Sequence, residues 1–200
     1  NFVDSYNLRK NYASSNFDHR HILTMSWVYE LPFFKKAGLS HKILGGWQYA
    51  GIVTSQSGTP FSVTNGVFGD SAGVANGVGT GSFADRVGDP NALPANRFDP
   101  SVKGPLLFNP DAYIETQGLT FGNSGRNSLN LPHRTQFDMS LSKTFKPAER
   151  VDLQLRAEAF NVFNHTQFSA LNSSVGTDFF MRATAAHKQR VIQLALKLTF

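Results

Sequence analysis

Cysteine is missing from all 200 residues, charge is sparse, and no long apolar run occurs. Without cysteine there is no disulfide scaffold and no thiolate site for zinc or an iron–sulfur cluster. Charged residues make up only 16% of the chain, against 18 Phe. That is the reverse of intrinsically disordered chains, which are rich in charge and poor in aromatics. Lys and Arg (19) outnumber Asp and Glu (14), but they are scattered, with no basic block beyond pairs such as Lys35–Lys36. The scatter reads as a solvated surface and argues against nucleic acid as a partner. The longest uncharged stretch, residues 43–69, is broken by Gly, Ser, Thr, Gln and Pro60. It cannot form the apolar helix of about 20 residues that crosses a bilayer.

What is present is alternation. In residues 190–200, Ile192, Leu194, Leu196, Leu198 and Phe200 share one parity, while Gln193, Ala195, Lys197 and Thr199 share the other. On a helix those leucines would spread around the circumference; on a strand they form one face. The same period of two predicts strands over 21–31, 46–56, 135–145 and 150–163. In 150–163 the polar parity is Asp152, Gln154, Arg156 and Glu158, and in 135–145 it includes Asp138 and Ser140. Lys146 to Arg150, with Pro147 unsuited to a central strand, is read as the turn of a hairpin. Residues 57–134 and 164–189 are rich in Gly, Asn, Pro and Asp and are read as long loops, with 1–20 the end of another. Loops of such length are abnormal in a compact soluble domain, where about 4–6 residues is usual.

Strands of about 10 residues with one apolar and one polar face match a transmembrane β-barrel, whose side chains alternate between lipid and lumen. Such barrels combine short periplasmic turns with long extracellular loops. The loop lengths therefore put 57–134 and 164–189 outside the cell and the C-terminus in the periplasm. Aromatic residues provide a separate check, because they gather at the two membrane interfaces. Tyr29, Trp47, Tyr49, Phe145 and Phe200 lie at or near the periplasmic ends of the expected strands. Phe137 and Phe163 lie at the opposite ends, and Trp27 belongs to the same interfacial set. Five strands do not close a barrel, and open edges in lipid cost several kcal/mol per unsatisfied group. The chain starts at Asn1 without an initiator Met or a leader. The expectation is a C-terminal portion completed by strands that precede Asn1, or by other protomers.

Several strings resemble a known family. They are Asp18-His19-Arg20-His21, residues 27–33 (WVYELPF), 44–63 (LGGWQYAGIVTSQSGTPFSV), 87–90 (VGDP), 121–127 (FGNSGRN) and 155–168 (LRAEAFNVFNHTQF), with the terminal Phe200. In this order they are similar to the C-terminal barrel of TonB-dependent receptors, in the Oar-like branch that carries a carboxypeptidase-regulatory-like domain. The resemblance implies an all-β, antiparallel 22-stranded barrel with a plugged lumen, of which this chain supplies about the last five strands. It also implies energised import across the Gram-negative outer membrane. The implied partners are outer-membrane lipid and lipopolysaccharide, the N-terminal plug and remaining strands, the TonB complex, and the barrel assembly machinery. A terminal Phe after an alternating strand is similar to the signal read by that machinery, which gives Phe200 an assembly role.

No catalytic residue, cofactor or metal is expected. Gly77 to Ser82 lacks the Lys-Ser/Thr ending and the strand–helix setting of a phosphate loop. His19 and His21 would share a strand face, but no third ligand accompanies them. Asp70, Asp85 and Asp89 do not have the spacing of an EF-hand calcium loop. Ser, His and Asp are scattered along the chain, with no nucleophile–base constellation. The candidate site is instead the lumen-facing row Asp138, Ser140, Asp152, Gln154, Arg156, Glu158 and Lys197. A hairpin that sets Asp138 opposite Glu158 and Ser140 opposite Arg156 would bring Arg156 diagonally within reach of Asp138. Two rival readings are a structural or adhesive barrel module without transport, and a soluble β-sandwich that buries its apolar faces against a second sheet.

Overall fold

The computed structural model describes residues 4, 6–33, 38–66, 82–116 and 120–200. The fold is mostly β with antiparallel sheets and very little helix. Five long strands, β1 (Ile22–Glu30), β2 (Trp47–Gln56), β3 (Arg134–Ala148), β4 (Val151–Phe160) and β5 (Val191–Thr199), form one sheet in the order of the chain. Each neighbouring pair is antiparallel. Their β-branched and aromatic content, set largely in alternation, favours the extended pleat. β1 and β2 are joined through a six-residue helix, α1 (Leu39–Leu44). It stops at Gly45–Gly46, where Gly46 has φ +69, a left-handed conformation natural to glycine after a helix end.

The β3–β4 hairpin departs from the sequence reading. β3 does not stop at 145 but runs through Pro147 to Ala148, leaving only Glu149 and Arg150 as the turn. Pairing is Phe145↔Leu153 and then Ala148↔Val151, so the register shifts between them and a bulge takes up the extra residue. A bulge is where a strand tolerates proline, because a ladder hydrogen bond is already lost there. The longer strand moves the register by two residues. Ser140 pairs with Glu158 and Ser142 with Arg156, in place of the expected Asp138 with Glu158 and Ser140 with Arg156.

β4 ends at Phe160, short of the expected 163. Asn161 takes φ 52 and Asn164 φ 51, values that Asn tolerates better than other side chains. The Asn161 N–H donates to Asp138 Oδ1 at 2.9 Å and the Val162 N–H to the Phe137 carbonyl at 3.0 Å, which folds the chain back over the end of β3.

These strands and the connections within 21–56, 134–166 and 188–200 make one compact unit; 1–20, 57–133 and 167–187 make another. The second is not open loop, as its composition suggested. Val63, Ala84, Leu106, Phe108, Ala112, Tyr113, Leu129, Val175 and Met181 are buried together in a core. Short antiparallel pairs frame it: Pro60–Phe61 with Leu129–Asn130, Asp85–Arg86 with Tyr113–Ile114, and Phe168–Leu171 with Ala183–Ala186. Gly58 is required at its first turn, because a Cβ there would stand 1.8 Å from the Leu131 carbonyl oxygen.

Candidate functional site

Cross-strand partners in a sheet share a face, so the register defines two surfaces. One carries Glu30–Gln48–Ser142–Arg156–Ala195 as a row across all five strands, and beside it Val28–Ala50–Ser140–Glu158–Gln193. Further rows are Thr144–Gln154–Lys197, Asp152–Thr199, Ser26–Ile52–Asp138 and Thr24–Thr54–Gln136. The sequence-derived residues Asp138, Ser140, Asp152, Gln154, Arg156, Glu158 and Lys197 thus all lie on this one polar face.

Its electrostatics run along the strands more than across them. Arg156 Nη1 lies 3.5 Å from Glu158 Oε1, and Nη2 donates to Gln154 Oε1 at 3.4 Å, all on β4. The expected Arg156–Asp138 contact is not made. Asp138 instead accepts from Gln136 Nε2 at 3.0 and 2.9 Å, as well as from the Asn161 N–H. Arg134 in turn donates to Gln136 Oε1. A half-exposed ion pair such as Arg156–Glu158 contributes at most about 1 kcal/mol. The arrangement offers hydroxyls, amides and both signs of charge to water. That is a hydrogen-bonding wall.

The opposite face is apolar: Leu23, Met25, Trp27 and Tyr29 on β1; Trp47, Tyr49, Gly51 and Val53 on β2; Phe137, Met139, Leu141 and Phe145 on β3; Leu153, Leu155, Ala157 and Ala159 on β4; Ile192, Leu194, Leu196 and Leu198 on β5. Leu194 is 78% exposed, so little protein covers its side chain. Trp27 lies flat over its cross-strand partner Gly51, where a Cβ would meet the ring at 2.3 Å. Its ring centroid is 6.0 Å from that of Tyr49, whose hydroxyl reaches Met139 Sδ at 3.0 Å. At the other strand end Phe137 and Phe163 meet edge to face at 5.0 Å. Ser55 and Thr135, the polar pair on this face, bond each other at 2.9 Å. Phe200 follows β5 and is exposed.

One residue on this face escaped the sequence reading. Lys143 stands in the apolar row Trp47–Lys143–Leu155 and is 5% exposed. The signal was available as a charge at the parity of Leu141 and Phe145.

In the other compact unit, two of the quoted strings prove to be framework. Ser124 N–H donates to the Ala84 carbonyl, Asn123 N–H to Asp85 Oδ1, and Arg86 N–H to Asn123 Oδ1. Gly122 (φ +67) passes so close to Phe83 that a Cβ would be 2.0 Å from its carbonyl oxygen. Pro90 of the VGDP string is fully buried. Asp85 and Asp89 spend their carboxylates on backbone N–H groups of Asn123 and Asn91; Asp70 and residues 77–81 lie outside the described residues. No group of three His, Asp or Glu converges among the described residues. His19 and His21 precede β1 and do not share a strand face; His19 Nδ1 is 2.6 Å from the Ser57 carbonyl. Bonds from the Ser101 hydroxyl and N–H, aided by the nearby Arg182 charge, hold the Asp99 carboxyl below its ordinary value. Burial pushes the Tyr113 phenol up, against the opposing charge of Arg86. A cleft of about 370 Å³ in this unit is lined by Lys103, Pro105, Phe168, Phe179 and Ala185.

The family model described as an outer membrane beta barrel domain matches residues 1–193. No curated protein and no solved structure matches. The chain belongs to the outer-membrane β-barrel domain family, and its place is the bacterial outer membrane.

Proposed function

We propose that this outer-membrane barrel domain is the C-terminal wall of a TonB-dependent receptor of the Oar-like type, taking part in energised uptake of a substrate. The observation that carries the reading is a two-faced sheet whose strands follow one another in chain order and whose outer strands, β1 and β5, have no further strand neighbour among the described residues. Unpaired edges in hydrocarbon cost several kcal/mol per group, so further strands close the wall, and the family resemblance of the quoted strings sets their total at 22. In this reading the apolar face meets outer-membrane lipid. The face bearing Asp138, Ser140, Asp152, Gln154, Arg156, Glu158 and Lys197 lines a wet lumen around a plug. The unit made from 1–20, 57–133 and 167–187 is extracellular, the C-terminus is periplasmic, and Phe200 is read by the barrel assembly machinery. No residue makes or breaks covalent bonds.

The core of the second unit also favours a second reading, a surface adhesin whose folded loops bind a partner without transport. One experiment separates the two. The full-length protein is expressed, its outer-membrane insertion verified by heat-modifiable gel mobility, and its crosslinking to the periplasmic domain of TonB measured. Insertion with TonB crosslinking supports the receptor; insertion without it leaves the adhesin. Recovery as a soluble monomer overturns both.

A further inference from the structure

The only charged side chain on the apolar face of the five strands is also its best buried polar one, and what it binds is the connection between β1 and β2. Lys143 Nζ donates to the carbonyl oxygen of Lys42 at 2.7 Å and to that of Gly45. It lies 4.7 Å from the Phe145 ring centroid and 5.8 Å from that of Trp47. Trp47 Nε1 donates to the Ile43 carbonyl at 3.2 Å. Lys42, Ile43 and Gly45 are at the C-terminal end of α1, where carbonyls lack helical partners and the helix carries partial negative charge. A cation and an indole N–H, both from the apolar face, satisfy that end. A six-residue helix has little stability of its own, so these bonds decide where it lies.

Held this way, α1 leaves Ile43 and Leu44 exposed, with the charged Lys42 beside them. Phe33, earlier in the connection, is exposed as well. Residues 31–46 include no Asp or Glu. Through Lys143 and Trp47, α1 is bonded to the apolar face of the sheet at the end where Tyr29, Trp47 and Tyr49 collect. Amphipathic segments with apolar and basic residues lie in the boundary between headgroups and acyl chains, and they favour anionic lipid.

We propose that α1 is an interfacial foot that lies in the phospholipid leaflet beside the barrel wall. Ile43 and Leu44 enter the acyl region, Lys42 faces the phosphate of an anionic diacyl phospholipid, and Lys143 is the positioning residue that pins the helix to the wall. This rests on the reading of the sheet as a lipid-facing wall with this end periplasmic.

The test uses the full-length protein, any native cysteine outside this chain replaced by serine, in vesicles of phosphatidylethanolamine and phosphatidylglycerol. A nitroxide is placed by Ile43→Cys, with Leu194→Cys as wall control and Lys103→Cys as aqueous control. Collision with oxygen and with a water-soluble nickel chelate reports depth. The expected result is oxygen-dominated collision at 43, as at 194. Nickel-dominated collision at 43, with 194 still oxygen-dominated, overturns the foot and leaves the wall intact. Nickel-dominated collision at both sites overturns the wall reading and the foot with it. Adding Lys143→Met should raise nickel collision at 43 about fivefold without changing 194; no change removes Lys143 from the role. Exchanging phosphatidylglycerol for phosphatidylcholine should bring the label at 43 toward water, and equal depth in both overturns the anionic-lipid preference.

Discussion

The two compact units use similar residues in opposite ways. Every buried hydrophobic side chain among the described residues, from Val63 to Met181, belongs to the unit made from 1–20, 57–133 and 167–187. The five strands bury none; most of their Leu and Ile, and Met25, stand in the open. The loop unit obeys the rule for a protein in water, hiding its apolar groups from solvent. The strand unit satisfies its backbone by strand pairing and leaves one whole face for an apolar surround, the arrangement of a barrel wall. Burial has meaning only relative to the surrounding solvent. A sheet with no core and a Gly-rich segment with one are both in order once each is assigned its medium.

Six substitutions sharpen that contrast. Met181 is 0% exposed in the core of the loop unit, and Met181→Ala should cost that unit about 2–5 kcal/mol. The expected readout is faster protease cleavage within 57–133 at undiminished outer-membrane levels; an equal loss of membrane insertion would mean that the units do not fold separately. Leu194→Arg puts a charge mid-strand on the apolar face and should cost about 2–4 kcal/mol, seen as a lower fraction of heat-modifiable protein. Gln193→Arg, one residue away on the polar face and opposite Glu158, should be tolerated. Similar losses from both would dissolve the distinction between the faces.

Gly51→Ala should cost about 1–3 kcal/mol by displacing the Trp27 ring, measured as a lower unfolding temperature with a changed near-ultraviolet dichroism. Trp27→Leu in the same background should recover part of the loss. Tyr113→Phe is the smallest effect. The Tyr113 hydroxyl is buried, the residue being 4% exposed, and has no hydrogen-bond partner among the described residues. At neutral pH its removal should change stability by no more than about 1 kcal/mol. The folded phenol ionises at higher pH than the unfolded one. Its stabilising effect is therefore fully present below about pH 10, the ordinary Tyr value, and is lost as pH rises through the folded value. The wild-type loop unit should lose this contribution in alkali, and the Phe variant should not.

Much of the wall was legible because a period of two acts locally. The parities of Leu194 and Lys197, or of Leu155 and Arg156, can be read from neighbours in sequence. The register of the β3–β4 hairpin was not, because it turns on whether the strand continues through Pro147. A bulge lets it continue, and the shift of two residues removed the Arg156–Asp138 contact. The loop core was hidden for a different reason. Its members, Val63, Ala84, Leu106, Tyr113 and Met181, follow no period, and its strands are two to four residues long. A sign did exist: Phe61, Val63, Phe83, Leu106, Phe108 and Leu129 are many apolar residues for a solvated loop. Lys143 shows the remaining gap, since its parity was readable but its partners on α1 were not.

By itself the sequence determined the all-β character, the two faces of each strand and the exclusion of cysteine chemistry and apolar membrane helices. These follow from side-chain types and their spacing along a few residues. Tertiary structure alone decided which residues pair across strands, that the Gly-rich segments enclose a core, and that Lys143 holds the end of α1. Those features depend on contacts between distant segments, whose geometry is set by bulges, glycine clearances and turns rather than by any repeating pattern.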